Sequence, residues 1–333
     1  MVTVLAALPV GSASQGESYF FTPTQTFVLI SEIYSKEPLL ISEQIAKLES
    51  RGLIIENRGL AERYLRTVGY YRLAGYWWPL QSDKTNHVFK EGSTFDRVVK
   101  LYDFDSNLRM LIFQVLARIE ISLRTKLIYH LSHEFGPWWF QNTNLFKDIP
   151  ALIKSLEGLR VEVSRSKETF IKAHRKKYKQ DGRFPPSWKA LELSSFGTLS
   201  KLYGNLKPNV DSLDIIAKEY GAENHTYLKS WLQSLAQIRN FCAHHSRLWN
   251  KNLPGTVKIL RKPKHEWIKN VPTTGEFQYL YIHLCIAKYM LNRIDPENDF
   301  GERFQNLMKK YLEVDHRALG LKSGWQNEPL WKY

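Results

Sequence analysis

The sequence predicts an all-α protein, and three observations carry that expectation. Apolar residues recur at three- and four-residue spacing along most of the chain, while alternation with period two is scarce. The helical stretches are joined by short Gly- and Pro-containing connections, the arrangement of a bundle. No fixed-period repeat or low-complexity tract interrupts them. The composition, 43% hydrophobic and 24% charged over 333 residues, is that of a globular chain long enough for about two domains.

From the N-terminus, residues 1–25 hold no Lys or Arg and only a short apolar run, so they read as a disordered tail rather than a secretory signal. Residues 42–51 form a short helix with Ser42 as N-cap and Gly52 as its stop. Residues 60–67 form a second helix. An aromatic segment follows, Gly69-Tyr70-Tyr71-Arg72-Leu73-Ala74-Gly75-Tyr76-Trp77-Trp78-Pro79. Together they make a small helical or winged-helix-like module over residues 26–92, or a packing lid for the next domain.

The strongest helical signal starts at Phe95. Leu101, Phe104, Leu108, Leu111, Val115 and Ile119 mark one apolar face, and the pattern runs to about Leu131, ahead of Gly136-Pro137. Glu120 and Arg124 are four apart on the polar side and read as a surface pair. Arg118 lies at the edge of the apolar stripe, where it snorkels or faces a buried partner. Further helices are expected over residues 151–179, 191–206, 213–220 and 224–249. These complete a bundle over 93–250, and helices at 275–293 and 299–314 form a C-terminal extension over 251–333.

The formal net charge is +14. Two segments supply almost all of it. Residues 165–189 hold nine basic residues against Glu168 and Asp181, with Arg175, Lys176, Lys177 and Lys179 at the centre. Residues 247–269 hold seven, among them Arg247, Lys251, Arg261 and Lys262, against Glu266. Tyr178, Trp188, Trp249 and Trp267 are interleaved. Cations that neutralise phosphates beside rings that stack on bases suit a single-stranded nucleic acid.

Several classes are excluded. No apolar stretch is long enough for a transmembrane helix, so no membrane partner is expected. Two cysteines, Cys242 and Cys285, cannot build a disulfide framework or a four-cysteine zinc site, and they fit a reducing cytoplasm. No Gly-rich phosphate loop or Gly-x-Ser-x-Gly elbow is present, and no metal or other cofactor is expected.

One residue is out of place. In the 224–249 helix the apolar seam runs through Leu228, Trp231, Leu232, Leu235 and Cys242, and its register calls for an apolar residue at 239. Arg239 stands there. A guanidinium keeps its charge, so it must meet an acid, the floor of a cleft or a bound anion. Glu120 and Asp103 of the other long helix are the candidate acids. Asn240 and His244 follow, four apart on one flank, and add an amide and a titratable base. On a straight helix Arg239 and His244 diverge by roughly 140°, so a helix end near His244 or a second copy of the chain is needed to join them.

Arg239 and His244, with four residues between them and Asn240 directly after the Arg, fit the Arg–His motif of the HEPN superfamily. The surrounding text resembles the bacterial Abi-like (abortive infection, phage exclusion) family. Gly69 to Leu73, Leu101 to Arg109, Arg118-Ile119-Glu120, Ser195 to Ser200, Cys242 to Asn250, and Pro329-Leu330-Trp331 carry that resemblance. It covers about residues 35–333 and implies a HEPN-like helical bundle, a homodimer, and metal-independent ribonuclease activity on RNA. Arg239 and His244 would then be catalytic, with Asn240 accessory. An antitoxin or a regulatory RNA would be a controlling partner. Some HEPN toxins are controlled through a Tyr two residues after the His. Here that position is Ser246, and this mode of control does not carry over. The rival expectation is a non-catalytic RNA- or DNA-binding regulator that uses the same basic surface.

Overall fold

A computed structural model describes residues 36–253 and 257–332, so the tail expected over residues 1–25 lies outside the described residues. Residues 36–40 have no regular structure. From Ile41 onward the chain forms one unit around a single contiguous core.

Its spine is a 41-residue helix. Numbered in chain order, α1 is Ile41–Glu49, α2 Arg58–Thr67, α3 Tyr70–Trp77 and α4 Phe95–Phe135. Thr94 caps the start of α4 through the Arg97 N–H, and Gly136, with φ +82°, ends it. At 1.5 Å per residue α4 is about 60 Å long. Helices pack on it from several sides: α3, α8 (Phe196–Asn205), α9 (Asp211–Glu219), α10 (His225–Ala243), α11 (Leu280–Ile294) and α12 (Phe300–Lys310). That is why Leu111 and Leu116, five apart and so roughly 140° apart around the helix, are both buried.

The surroundings of α4 correct the Glu120–Arg124 expectation. The flank assigned to solvent is covered by residues 191–194 and by α10, and Glu120 is only 8% exposed. Arg124 pairs with Glu120 at 3.2 Å and also donates to the carbonyls of Leu191 and Ser194. Arg118 takes the other course. Its guanidinium stays in solvent and pairs with the half-exposed Asp295, so it has no buried partner.

The N-terminal part has three short helices followed by an antiparallel hairpin, β1 (Gln81–Asp83) and β2 (Val88–Phe89). Ile54, between α1 and α2, adds a parallel bridge to Thr94. Helices and hairpin stand in winged-helix-like order. However, α3 buries Leu73, Tyr76 and Trp77 and packs on α4, so most of it is turned inward. Gly69 at φ +92° makes the tight turn from α2 into α3, a conformation open to Gly at little cost.

Other boundaries also shift. The helix expected over 151–179 is two, α5 (Ile149–Arg165) and α6 (Thr169–Lys177), broken by extended backbone at Ser166. Neither Gly nor Pro makes this break. The Arg175 side chain folds back and donates to the carbonyls of Val163, Ser164 and Ser166, satisfying groups that a continuous helix would have bonded. The stretch from 191 begins with a 3-10 turn behind α7 (Ser187–Ala190), and α8 itself starts at Phe196 with Ser195 as its cap. The last two helices are shorter than expected, starting at Leu280 and ending at Lys310.

Candidate nucleic-acid site

The site is built around the end of α10. Asn224 caps its start, and Leu228, Trp231, Leu232, Leu235, Ile238 and Cys242 are buried along it. Burial pushes the Cys242 thiol up to about 12, which removes it as a nucleophile.

α10 stops at Ala243, six residues earlier than the sequence pattern suggests. The Ser246 N–H donates to the Phe241 carbonyl at 2.8 Å and the His245 N–H to that of Cys242 at 3.1 Å. This pair of bonds is the Schellman motif, with His245 at the left-handed position, φ +54°, where Gly is usual. His244 is thereby the cap residue. It is exposed, and its own N–H still donates to the Asn240 carbonyl at 2.9 Å. The helix end expected near His244 is therefore present.

Arg239 meets Glu120. Its Nε lies 3.2 Å from Glu120 Oε2, and its side chain is 25% exposed. The N–H does not point at the oxygen, so the contact is Coulombic rather than a directed hydrogen bond. Nη1 reaches Asn240 Oδ1 at 3.4 Å. Glu120 thus serves two guanidiniums, Arg124 and Arg239. The other candidate acid, Asp103, instead accepts the Tyr64 hydroxyl at 2.9 Å. The two Nη groups of a guanidinium are a pair that can grip a phosphate bidentately.

The loop after His244 is held by Arg72 and Asp105, which have no role in the sequence analysis, and by Arg247, which is expected there to bind RNA. Arg72 of α3 donates to the His245 carbonyl at 2.6 Å. Arg247 donates to the carbonyl of Gly75. Asp105, fully buried on α4, accepts the N–H groups of Leu248 and Trp249 (the latter at 2.6 Å), the Tyr76 hydroxyl at 2.7 Å, and the Arg109 guanidinium. Burial pushes the Asp105 carboxyl up, and Arg109, Tyr76 and the two amides oppose it. Every one of these partners donates, which favours the ionised carboxylate. Asp105 and Arg109, four apart on the apolar face of α4, were the sequence signal for this network.

The basic residues fall into separate places. Lys176, Lys177 and Lys179 are exposed around a surface cavity of about 430 Å³ that Tyr178 also lines. Arg175, though exposed, is the residue that caps α5. Arg247 is turned inward to Gly75. Lys251 sits over the Phe241 ring, 4.3 Å from its centre, close to the end of α10. Arg261 and Lys262 are exposed, and their backbone N–H groups hold Glu223 just before α10 begins. That is about 28 Å, the length of α10, from His244. Trp249 and Trp267 are buried and cannot stack on bases, whereas Trp188 and Tyr178 are half exposed.

No group of three or more His, Cys, Asp or Glu among the described residues could hold a metal ion. No helix among them is long and apolar enough to cross a membrane.

Residues 63–250 match the family model described as Abi-like protein, more than half of the chain. The chain belongs to the Abi-like protein family. The matched stretch runs from α2 to the loop after α10 and holds Asp105, Arg109, Glu120, Arg239 and His244. Abi-like membership connects the chain to abortive infection, a form of phage defence. No curated protein and no solved structure matches it.

Proposed function

We propose that this Abi-like chain acts in abortive infection as a metal-independent endoribonuclease of the HEPN type. Arg239 and His244 are its catalytic residues and Asn240 is accessory. The observation that carries the reading is the abrupt end of α10. It leaves His244 exposed one turn beyond an arginine whose Nε side is occupied by Glu120.

Metal-free RNA cleavage uses the 2′-hydroxyl as nucleophile. One imidazole takes the 2′-proton as O2′ attacks the adjacent phosphorus. The P–O5′ bond breaks, and a protonated imidazole gives its proton to O5′. Arg239 holds the phosphate and stabilises the added charge. One chain supplies one His244, so a homodimer that brings two together provides both base and acid. The products are a 2′,3′-cyclic phosphate and a 5′-hydroxyl. Lys176, Lys177, Lys179 and Lys251 supply phosphate contacts along the strand, and Arg261 and Lys262 extend them to the far end of α10.

Incubating the protein with labelled RNA in EDTA tests this. The wild type is expected to cut, and His244→Ala and Arg239→Ala to lose activity by a factor of about 100 or more. Wild-type cleavage rates in the His244→Ala protein overturn the assignment. A second reading rests on the Glu120–Arg239 ion pair, which gives Arg239 a structural use. In it the chain is a non-catalytic RNA- or DNA-binding regulator, and RNA is bound with steep salt dependence but left intact.

A further inference from the structure

A second cleft lies at the other end of α10. The last turns of α11 and the loop after it face residues 264–266 across a cavity of about 520 Å³. The packing fixes its place: the Tyr289 ring of α11, on the cleft wall, meets Trp231 in the first half of α10, while Ser234 further along α10 meets His283 further back on α11. The two helices therefore run antiparallel, and the cleft is roughly 20 Å along α10 from His244.

The lining of this cleft is cationic. Lys264, Lys288, Arg293 and Lys332 line it against one carboxylate, the exposed Glu266. Lys288 is the unusual member. It is 6% exposed, and its ammonium meets amide oxygens only, Asn292 Oδ1 at 2.9 Å and Asn298 Oδ1 at 3.4 Å. Among the described residues no acid pairs with it, and burial lowers its pKa with no carboxylate opposing the shift. A buried ammonium without an anion is costly, and a third N–H remains for a ligand. Asn298 is itself fixed, since its amide donates to Asn292 and to the Asp295 carbonyl, so the polar floor is preformed.

We infer that this cleft binds a phosphorylated small molecule carrying two or more negative charges, of the class of pyrophosphate and nucleoside polyphosphates. The phosphates would sit on Lys288, with Arg293 and Lys264 closing over them. The volume lies within the range of small-ligand sites. Four cations against one acid leave room for several negative charges. No chemistry at Arg239 or His244 is required, and the inference stands apart from the ribonuclease reading.

Calorimetric titration of the full chain at constant ionic strength in EDTA tests it, with pyrophosphate, ATP and a single-stranded RNA oligonucleotide as separate probes. The His244→Ala protein is used for the RNA arm. Saturable single-site binding of pyrophosphate or ATP is expected. Lys288→Met and the surface variant Arg293→Ser should each weaken it by about tenfold or more, and Lys154→Ala, at an exposed position of α5, should leave it unchanged. Absence of saturable binding overturns the inference, as does wild-type affinity in the Arg293→Ser and Lys288→Met proteins. So does Lys288-dependent binding seen with the oligonucleotide alone.

Discussion

Asp105→Asn is the substitution with the largest expected consequence. The side chain is fully buried and receives four donors: Arg109, Tyr76, and the backbone N–H groups of Leu248 and Trp249. The amide keeps the shape but removes the charge, and it turns an NH₂ toward groups that all donate. Breaking a buried ion pair from one side costs about 3–5 kcal/mol. Adding the hydrogen bonds singly would exceed that, because they share one carboxylate and are not additive. Against a total stability of about 5–15 kcal/mol this is a large fraction, equivalent to a fall in melting temperature of order 10 °C. The effect also has a location. Residues 248–249 lie just beyond the His244 cap, so their amides should exchange with solvent faster in the variant, while those of α5 stay unchanged. Thermal unfolding and hydrogen exchange measure the two parts. A loss below about 1 kcal/mol, or unchanged protection at Leu248 and Trp249, would refute the view of Asp105 as the charged anchor of this loop.

Other expectations concern single groups. Burial holds His283 down to about 4, although the Phe277 carbonyl opposes the shift; the ordinary value is 6.5. The unfolded chain therefore takes up that proton first, and stability falls as pH drops below about 6.5, by about 2 kcal/mol at pH 5, levelling near pH 4. Denaturant titrations at pH 7 and pH 5 check this, and His283→Gln should flatten the difference. His245→Gly should stabilise the protein by about 0.5–1 kcal/mol by removing a side chain from the left-handed cap, read as a higher denaturation midpoint. Glu120→Gln removes the charge that positions Arg239 and Arg124. It should lower the turnover of RNA cleavage by about tenfold or more while changing KM little, the pattern for a residue that orders the transition-state contact. An unchanged turnover would show that Arg239 needs no such support.

Much of the architecture was legible because it depends on local pattern. The spacing from Leu101 to Ile119 identifies α4, and Gly136 ends it where a breaker is expected, while the Thr94 cap is seen only in the structure. Arg239 stood out because an unneutralised charge contradicts an apolar seam, and Glu120 had been one of two candidate acids. The errors lie where partners distant in sequence decide. Glu120 and Arg124 looked like a surface pair because periodicity sees one buried face, and α4 has several. The break in the 151–179 helix carries no Gly or Pro signal, since Arg175 supplies the cap from nine or more residues away. Trp249 and Trp267 read as stacking rings but are buried, because a sequence gives ring type and not burial.

The sequence by itself determined the helical class, the family, the charge surplus and the presence of a cation where an apolar residue belonged. These follow from residue type and near-neighbour spacing. Tertiary structure alone decided that α10 ends at Ala243, because the competing carbonyls and amides of residues 245–249 are claimed by Arg72 and Asp105, more than a hundred residues away. It also decided which cations reach solvent. Arg247 spends its guanidinium on Gly75, while Lys288, on a helix that reads as plain core, is buried with no acid pairing it among the described residues, beside a cationic cleft. Charge counts add along a chain, whereas desolvation and pairing depend on what the fold brings alongside each group.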